Sequence, residues 1–585
     1  MKICVLQSSQ EGSGLSWLEE VEIPARPDVY TDQHEFVYRF IRKDRAREEI
    51  DAVVAEGFDF YFNFIWGTPD DPVTGAEESK YFESFGLPSS GIRSEERFMT
   101  KNQFYQNALA RGGPPIPGRD KFPLFVKPSN GSASQFIDEQ SICHNQDELD
   151  GALARISNHL RAARVRRAKG LGHQGQAEQE AFADACARQG RDSHDVVVQE
   201  FIPGVDMTCT VLQMGEGCLA LTPFVYKTKA TTMRDHFLTF DLKFDEGTTI
   251  QLLNKAQDPS LYERIQRVAI DGLRASGCGR SNMGCDVDVR VRPDGAIYAI
   301  EVNPQPAAFM PEGAFQDLPI IHSLPGRHHA VINIFIANQL LEGRRLREAS
   351  DKVADVYDTV APRYNHVFDD GSGCTIVPSL EKIVATHDFG GVVFDLGCGT
   401  GIFGKVLGAA DKNKNEQDRH ESTQLLGFDI SPGMLQLCQE CKTYDATILE
   451  SMETALVHYR RYAHTIDHIV SFTAIHFLRP EVFSFFMALC FALANKSITV
   501  TVDEIPDHYN ETLIKMGYAH MYSNNHLKAM EAFGEPPGWR LERGKSQFSW
   551  TSPTTGDDIY STCFRFERIE GASRDIMFSL EELPN

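Results

Sequence analysis

The sequence has no apolar run long enough to cross a bilayer. Its longest, Phe483 to Ala494, is interrupted by Ser484. It falls short of the roughly 20 residues that a spanning helix needs, so it reads as a buried helix, and no membrane partner is expected. Basic charge is also scarce: 58 Lys plus Arg face 82 Asp plus Glu, for a net charge of −24. Such a surface repels a phosphate backbone, so no nucleic acid is expected as a partner. The 13 cysteines are scattered. One CxxC, Cys438-Gln-Glu-Cys441, has no second pair or His pair beside it, which favours helix packing over zinc or redox chemistry. Reduced thiols fit a cytoplasmic setting. The opening MKICVLQSSQ turns polar after a few residues and reads as a first strand rather than a secretion signal. No internal repeat is visible.

The chain is too long, at 585 residues, for a single hydrophobic core. Short β-branched runs alternate with helical patterns, which implies a multidomain α/β protein. Lys2 to Leu6 and Phe58 to Phe64 read as strands with a helix, Arg39 to Glu56, between them, in an N-terminal α/β domain over residues 1–95. A second domain is expected over 96–342, with an insertion near 152–195. Arg161, Arg164, Arg166, Arg167 and Lys169 form a basic cluster inside that insertion, which reads as a solvated helical arm rather than an anion site. Arg327 to Leu346 reads as helical. The polar stretch GRRLREASDK, residues 343–352, reads as a linker to a third domain over 353–570, followed by a tail, 571–585.

The N-terminal half concentrates its chemistry in CDVDVRVRPDGAIYAIEVNP, residues 285–304. This reads as a hairpin turning at Arg292-Pro-Asp-Gly295. Glu301 and Asn303, two apart, share one face, and Asp288 can lie beside them across the ladder. Three oxygen donors on one face suit Mg²⁺ or Mn²⁺. Upstream, Phe125-Val-Lys-Pro-Ser-Asn-Gly-Ser-Ala-Ser134 ends a strand on Lys127 and enters a flexible turn that could cradle phosphates. Val196 to Asp206 is an apolar strand running into a Pro-Gly turn and an acid.

The order of these segments resembles the ATP-grasp superfamily, in its D-alanine–D-alanine ligase-like branch, over residues 1–341. The resemblance implies an ATP-grasp fold of three subdomains and an ATP site. It assigns Lys101 and Lys127 to the phosphates, Ser132 to the lid, and Gln199, Glu200, Phe201 and Ile202 to the adenine hinge. Asp206 would take the ribose, Lys243 would act on the transferred phosphate, and Asp288, Glu301 and Asn303 would hold the metal. The reaction implied activates a carboxylate as an acyl phosphate and joins it to an amine. Two departures matter: Asp286 stands where D-alanine ligases carry an Arg, and the loop Ser129 to Ser134 is shorter in Gly and Glu than theirs, so a different acid is expected. Glu77, Glu78, Arg280 and Arg327 are weaker substrate candidates.

In the C-terminal half, Val392-Val-Phe-Asp-Leu-Gly-Cys-Gly-Thr-Gly401 is a strand running into a glycine turn and a helix. Glycines there let a nucleoside approach the backbone closely. The GxGxxG spacing of a dinucleotide site is absent. Leu425 to Asp429 ends a second strand on an acid. With Asp467 to His476, these segments resemble the class I methyltransferase family over residues 353–570, which implies a Rossmann-like domain binding S-adenosylmethionine. The resemblance assigns Asp395, Gly397, Gly399 and Gly401 to the first motif, Asp429 to the ribose and Met434 to the position following it. Tyr357 and Tyr364 fall on a helix over the cofactor. His476 could take a proton from an amine acceptor or could simply be packed; Glu450 is close by motif position. Together the halves suggest a bifunctional biosynthetic enzyme of specialised metabolism. It would be a carboxylate–amine ligase acting on an amino acid or small carboxylic acid and an amine acceptor, fused to an N-methyltransferase, with a homodimer as a candidate assembly. The alternatives are a kinase or acyl-phosphate former with no amine acceptor, or one non-catalytic half.

Overall fold

The computed structural model describes the chain apart from residues 12–23, 69–70, 72, 131–133, 135, 171, 187–194, 228–236, 238–247, 279–280, 307, 310–316, 343, 366–373, 413–422, 573 and 581–585. It divides into two compact units. The first comprises Met1–Gln213, Cys218–Ser323 and Asp575–Ser579; the second comprises Met214–Gly217, Leu324–Arg574 and Leu580–Asn585. The division falls at Ser323, ahead of the polar stretch 343–352. No helix among the described residues is long and apolar enough to cross a membrane.

The first unit opens with a parallel sheet in the order β2-β1-β3-β4, formed by β1 (Lys2–Ser8), β2 (Glu35–Ile41), β3 (Phe60–Phe64) and β4 (Ser89–Gly91). β1 and β3 are apolar along most of their length because both faces are covered. Helix α1 covers Ala46–Glu56 only. The stretch from Arg39, expected to be helical, begins as strand, because the β-branched and aromatic run of β2 pairs with β1. After helix α2 (Lys101–Ala110) comes a small antiparallel sheet, β6-β5-β7, made of β5 (Leu124–Pro128), β6 (Ile142–Cys143) and β7 (Val196–Glu200). Helices α3 (Gln146–Gly170) and α4 (Gln176–Cys186) form the expected insertion.

Its basic cluster is largely neutralised within the fold. Arg164 makes two bonds to Asp195, at 2.8 and 2.9 Å, Arg161 reaches Asp184 at 2.9 Å, and Arg167 reaches Glu77 at 3.1 Å. A seven-stranded sheet runs β11-β10-β8-β12-β13, from β8 (Val205–Met214), β10 (Phe224–Lys227), β11 (Thr249–Leu252), β12 (Gly284–Val291) and β13 (Ile297–Asn303). β9 (Gly217–Ala220) pairs with β8, and Met577–Leu580 pairs with β9. Four residues of the segment read as a tail, Met577–Leu580, thus form an edge strand of this sheet. Helix α5 (Pro259–Ser276) packs its apolar stripe, including Ile265, Ala269 and Leu273, on the sheet.

The second unit starts with α6 (Arg327–Glu342) and α7 (Arg344–Tyr364). The stretch expected to be a linker is therefore the first turns of α7, since its Arg, Leu, Glu and Ala residues are good helix formers. Eight strands follow: β14 (Val392–Leu396), β15 (Gln424–Asp429), β16 (Ala446–Leu449), β17 (Ile466–Ser471), β18 (Ala494–Glu504), β19 (Trp539–Arg543), β20 (Gln547–Thr551) and β21 (Asp558–Arg568). Their order is β16-β15-β14-β17-β18-β21-β19, with β20 on β21. The first five are parallel and β21 is antiparallel to β18. Strand order reverses at β14, where such sheets bind ligands outside the strand ends. Helices α8 (Ile376–Thr386), α9 (Ile402–Lys412), α10 (Pro432–Glu440) and α11 (Pro480–Leu493) complete the parts used below; α11 is buried along its length, as its apolar run implied.

Candidate active sites

In the first unit, the register of three strands builds a continuous polar face. Asp206, Thr208 and Thr210 on β8 stand opposite Arg290, Asp288 and Asp286 on β12. Asp288 pairs with Glu301, and Asp286 with Asn303, on β13. Since side chains alternate along a strand, these residues share one side of the sheet. Asp288 accepts hydrogen bonds from Thr208 at 2.6 Å and Asn303 at 3.2 Å, while Asp286 accepts one from Thr210 at 2.5 Å. Lys101, at the start of α2, pairs with Glu301 at 2.8 Å. Lys127 is the penultimate residue of β5 and is 2 % exposed. Its ammonium donates to the Ile300 carbonyl at 3.0 Å, and burial pushes it down to about 8 against the opposing pull of Glu301.

The cleft beside this face has an empty volume of about 630 Å³ and is lined by Lys101, Ser129, Asn130, Glu301 and Asn303, together with Glu96 and Cys278. Among the described residues no three His, Cys, Asp or Glu side chains cluster. The set present is two carboxylates and an amide oxygen. Oxygen donors of this kind fit a hard divalent ion.

The hinge residues are held by the fold. Gln199 accepts from the Tyr105 hydroxyl at 2.6 Å; the Glu200 amide donates to Gly118 and the Phe201 amide to Pro123; Ile202 is buried. Asp206 is gripped by Arg290, whose Nη1 lies 3.0 and 3.1 Å from its two oxygens and whose guanidinium lies over the Phe201 ring. Arg290 was missed by the sequence reading. Its only signal is the alternation Asp286, Asp288, Arg290 along β12. Ser132 and Lys243 lie outside the described residues, as does Arg280.

In the second unit, a cavity opens at the carboxyl end of β14. It is lined by Tyr357, Tyr364, Asp395, Gly397, Gly399, Asp429 and Met434, and by Glu450 and Phe477. Gly397 has φ 77°, and a Cβ there would stand 2.5 Å from the Ala474 Cβ, so only glycine fits. Gly401 does not reach this cavity. It faces inward, where a Cβ would meet Cys438 and Tyr444, so its role is turn geometry and packing. Asp429 accepts the Gly399 and Ser431 amides, both at 2.9 Å. Burial raises it, and raises Asp395 to about 7.

Helix α7 is fastened over the site. Asp358 accepts from Ser431 at 2.5 Å and the Gly433 amide at 2.8 Å; Thr400 donates to Asn365 at 2.7 Å. This places Tyr357 and Tyr364 on the cavity, with rings 6.1 Å apart. Glu450 is braced by His458, at 3.2 Å, and by the Tyr462 hydroxyl. Asp358, Asn365, His458 and Tyr462 were not singled out from the sequence.

Of the two alternatives for His476, the structure shows the packed one. It is 4 % exposed, does not line the cavity, and lies 2.7 Å from Asp503 Oδ2 beneath it. Asp503 also accepts from Ser561. The strand order that buries both residues is invisible in the local motif.

Residues 166–310 match the family described as D-ala D-ala ligase C-terminus. Curated relatives are D-alanine–D-alanine ligases. That of Brucella anthropi is 29% identical over 113 residues, or 19% of this chain and 34% of its own length. That of Agrobacterium fabrum is 32% identical over 114 residues, again 19% and 34%. The chain spans about a third of the length of the curated relatives it matches. Among solved structures, the VanG D-Ala:D-Ser ligase from Enterococcus faecalis shares 17% identity, covering 58% of this chain and 99% of that one, with a TM-score of 0.36. The magnesium protoporphyrin IX methyltransferase ChlM from Synechocystis PCC 6803 with bound SAM shares 15%, covering 38% and 97%, with a TM-score of 0.27. Residues 166–310 of the first unit are thus similar to the C-terminal part of D-alanine–D-alanine ligases, and the second unit has the strand order of an open, doubly wound α/β sheet.

Proposed function

We propose that the chain is a bifunctional biosynthetic enzyme. Its first unit would be an ATP-dependent carboxylate–amine ligase for an amino acid or small carboxylic acid, and its second an S-adenosylmethionine-dependent N-methyltransferase. The observation that carries the ligase reading is the polar face on which Asp288, Glu301 and Asn303 converge beside Lys101 and Lys127. When bound, ATP with Mg²⁺ supplies the phosphoryl group that activates the acid. Asp288, Glu301 and Asn303 would hold the ion, and Lys101 would move from Glu301 toward phosphate as the ion takes its place. Lys127 supplies positive charge in a low-dielectric site, where it counts for more than in water. Lys243 and Ser132 are assigned to the phosphate on sequence grounds alone. The hinge Gln199 to Ile202 would receive adenine and Asp206 the ribose, oriented by Arg290. Asp286, bonded to Thr210 where D-alanine ligases carry an Arg, supports an acid other than D-alanine.

In the second unit, S-adenosylmethionine supplies the methyl group when bound. Asp429 and Asp395 would hold its hydroxyls and cationic end, with Met434 beside its base. Tyr357 and Tyr364 wall the acceptor side. Alignment is the main demand of such a displacement, and the fastening of α7 by Asp358 and Asn365 supports it. His476 lies too deep to touch an acceptor as placed, so it is read here as a support for the wall. The test is incubation with amino-acid mixtures, ATP–Mg²⁺ and methyl-labelled S-adenosylmethionine, read by mass spectrometry. A new amide with ADP, and a labelled product, are expected. A phosphorylated acid with no amide would replace ligase by kinase, and failure of either nucleotide to bind in calorimetry would make that half non-catalytic.

A further inference from the structure

A ring-shaped slot lies beneath the methyl-donor site. Gly401 in the glycine turn, Gly404 in α9 and Gly427 in β15 come from three segments, and all three face the Tyr444 ring. A Cβ would stand 3.0 Å from that ring at Gly401, 2.9 Å at Gly427 and closer still at Gly404. The ring therefore fits only because three side chains are absent. Its hydroxyl accepts the Gly404 amide at 3.2 Å and donates to Asp395 Oδ2. Asp395 is 2 % exposed, yet lines the cavity.

We propose that Tyr444 is a positioning residue that keeps Asp395 an oriented anion for the cationic amino-acid end of the methyl donor. This rests on the methyltransferase reading above. The physical need is plain. A carboxyl this deep loses hydration and prefers to be neutral. Burial is the main influence on it, Asp429 on the adjoining strand pushes the same way, and the Tyr444 hydroxyl is the opposing group. The other ionisable group facing it is the Cys398 thiol of the glycine turn, itself raised by Cys438 and burial. β17 presents Val470 to Asp395. A hydrogen bond to the charged form favours that form, so removing the hydroxyl moves the titration of Asp395 upward by about one pH unit.

The experiment is calorimetric binding of S-adenosylmethionine between pH 6 and 8 to the full chain and to Tyr444→Phe. Wild-type affinity should rise through about pH 7. With a midpoint one unit higher, the variant should bind roughly ninefold more weakly at pH 6 but only about twofold at pH 8. A ratio constant across pH would reduce Tyr444 to packing and overturn the proposal. If the variant fails to fold, wild-type titrations at pH 6.5 in buffers of different ionisation heat still decide. Net proton release on binding is expected, and none would refute the role of Asp395 as a titrating anion. No binding by the wild type at any pH would instead strike the methyltransferase reading itself.

Discussion

Lys127 carries the sharpest energetic consequence. Its ammonium is buried at the end of β5, and its affinity for the proton has fallen from 10.5 to about 8. The folded chain therefore binds fewer protons than the unfolded chain between about pH 8 and 10.5. Below pH 8 the protonated lysine costs the fold roughly 3 kcal/mol, a cost that disappears as pH rises through that window. Lys127→Met keeps the unbranched stem and removes the charge. The Ile300 carbonyl is not orphaned, because the Tyr105 hydroxyl lies 2.7 Å from it and can turn its one proton there from Gln199. Glu301 keeps Lys101. Allowing about 1 kcal/mol for the lost hydrogen bond, the variant should be more stable than wild type by roughly 2 kcal/mol at pH 7. It should also lack the rise in stability between pH 8 and 10. ATP-dependent phosphate release should fall by about a hundredfold or more, as one preformed charge is lost from the site. Urea unfolding at pH 7 and pH 10, with the β5 amides followed by hydrogen exchange, measures the first effects. A variant less stable than wild type at pH 7, or one retaining the pH slope, would refute this account of the buried lysine.

Asp288→Asn and Glu301→Gln should each leave the fold within about 1 kcal/mol and abolish Mg²⁺-dependent ADP formation, since both carboxylates lie on the exposed side of the sheet face; ADP release and thermal melting check both. Arg290→Met removes the guanidinium from the half-buried Asp206 and should cost about 2 kcal/mol in urea unfolding, with weaker ATP binding in calorimetry. Gly397→Ala should prevent S-adenosylmethionine binding while leaving ATP binding intact, because the new methyl group meets Ala474 at 2.5 Å; calorimetry with the two ligands separates the effects. His476→Asn should destabilise the second unit by a few kcal/mol through the buried Asp503, yet keep the cofactor dissociation constant within about twofold; a tenfold loss of binding would place His476 at the cofactor after all.

The strands and turns that carry the candidate residues were legible because strand periodicity and glycine spacing are local. The shared face of Glu301 and Asn303 and the position of Asp429 at a strand end follow from alternation along a few residues. The polar stretch 343–352 misled because a polar composition does not separate a linker from the start of a helix such as α7. Met577–Leu580 looked like a tail because an edge strand of four residues carries too little pattern to separate from irregular chain.

By itself, the sequence determined the α/β architecture, the hairpin that carries Asp288, Glu301 and Asn303, and the glycine turn between β14 and α9. These depend on contacts between near neighbours. Only the tertiary structure decided that Arg290 grips Asp206, that Lys101 meets Glu301 across 200 residues, that His476 turns to Asp503 and away from the cavity, and that Tyr444 reaches Asp395 through three glycines. Each is a contact between strands or loops whose order in the sheet is fixed by burial of the whole core, and no local pattern encodes that order.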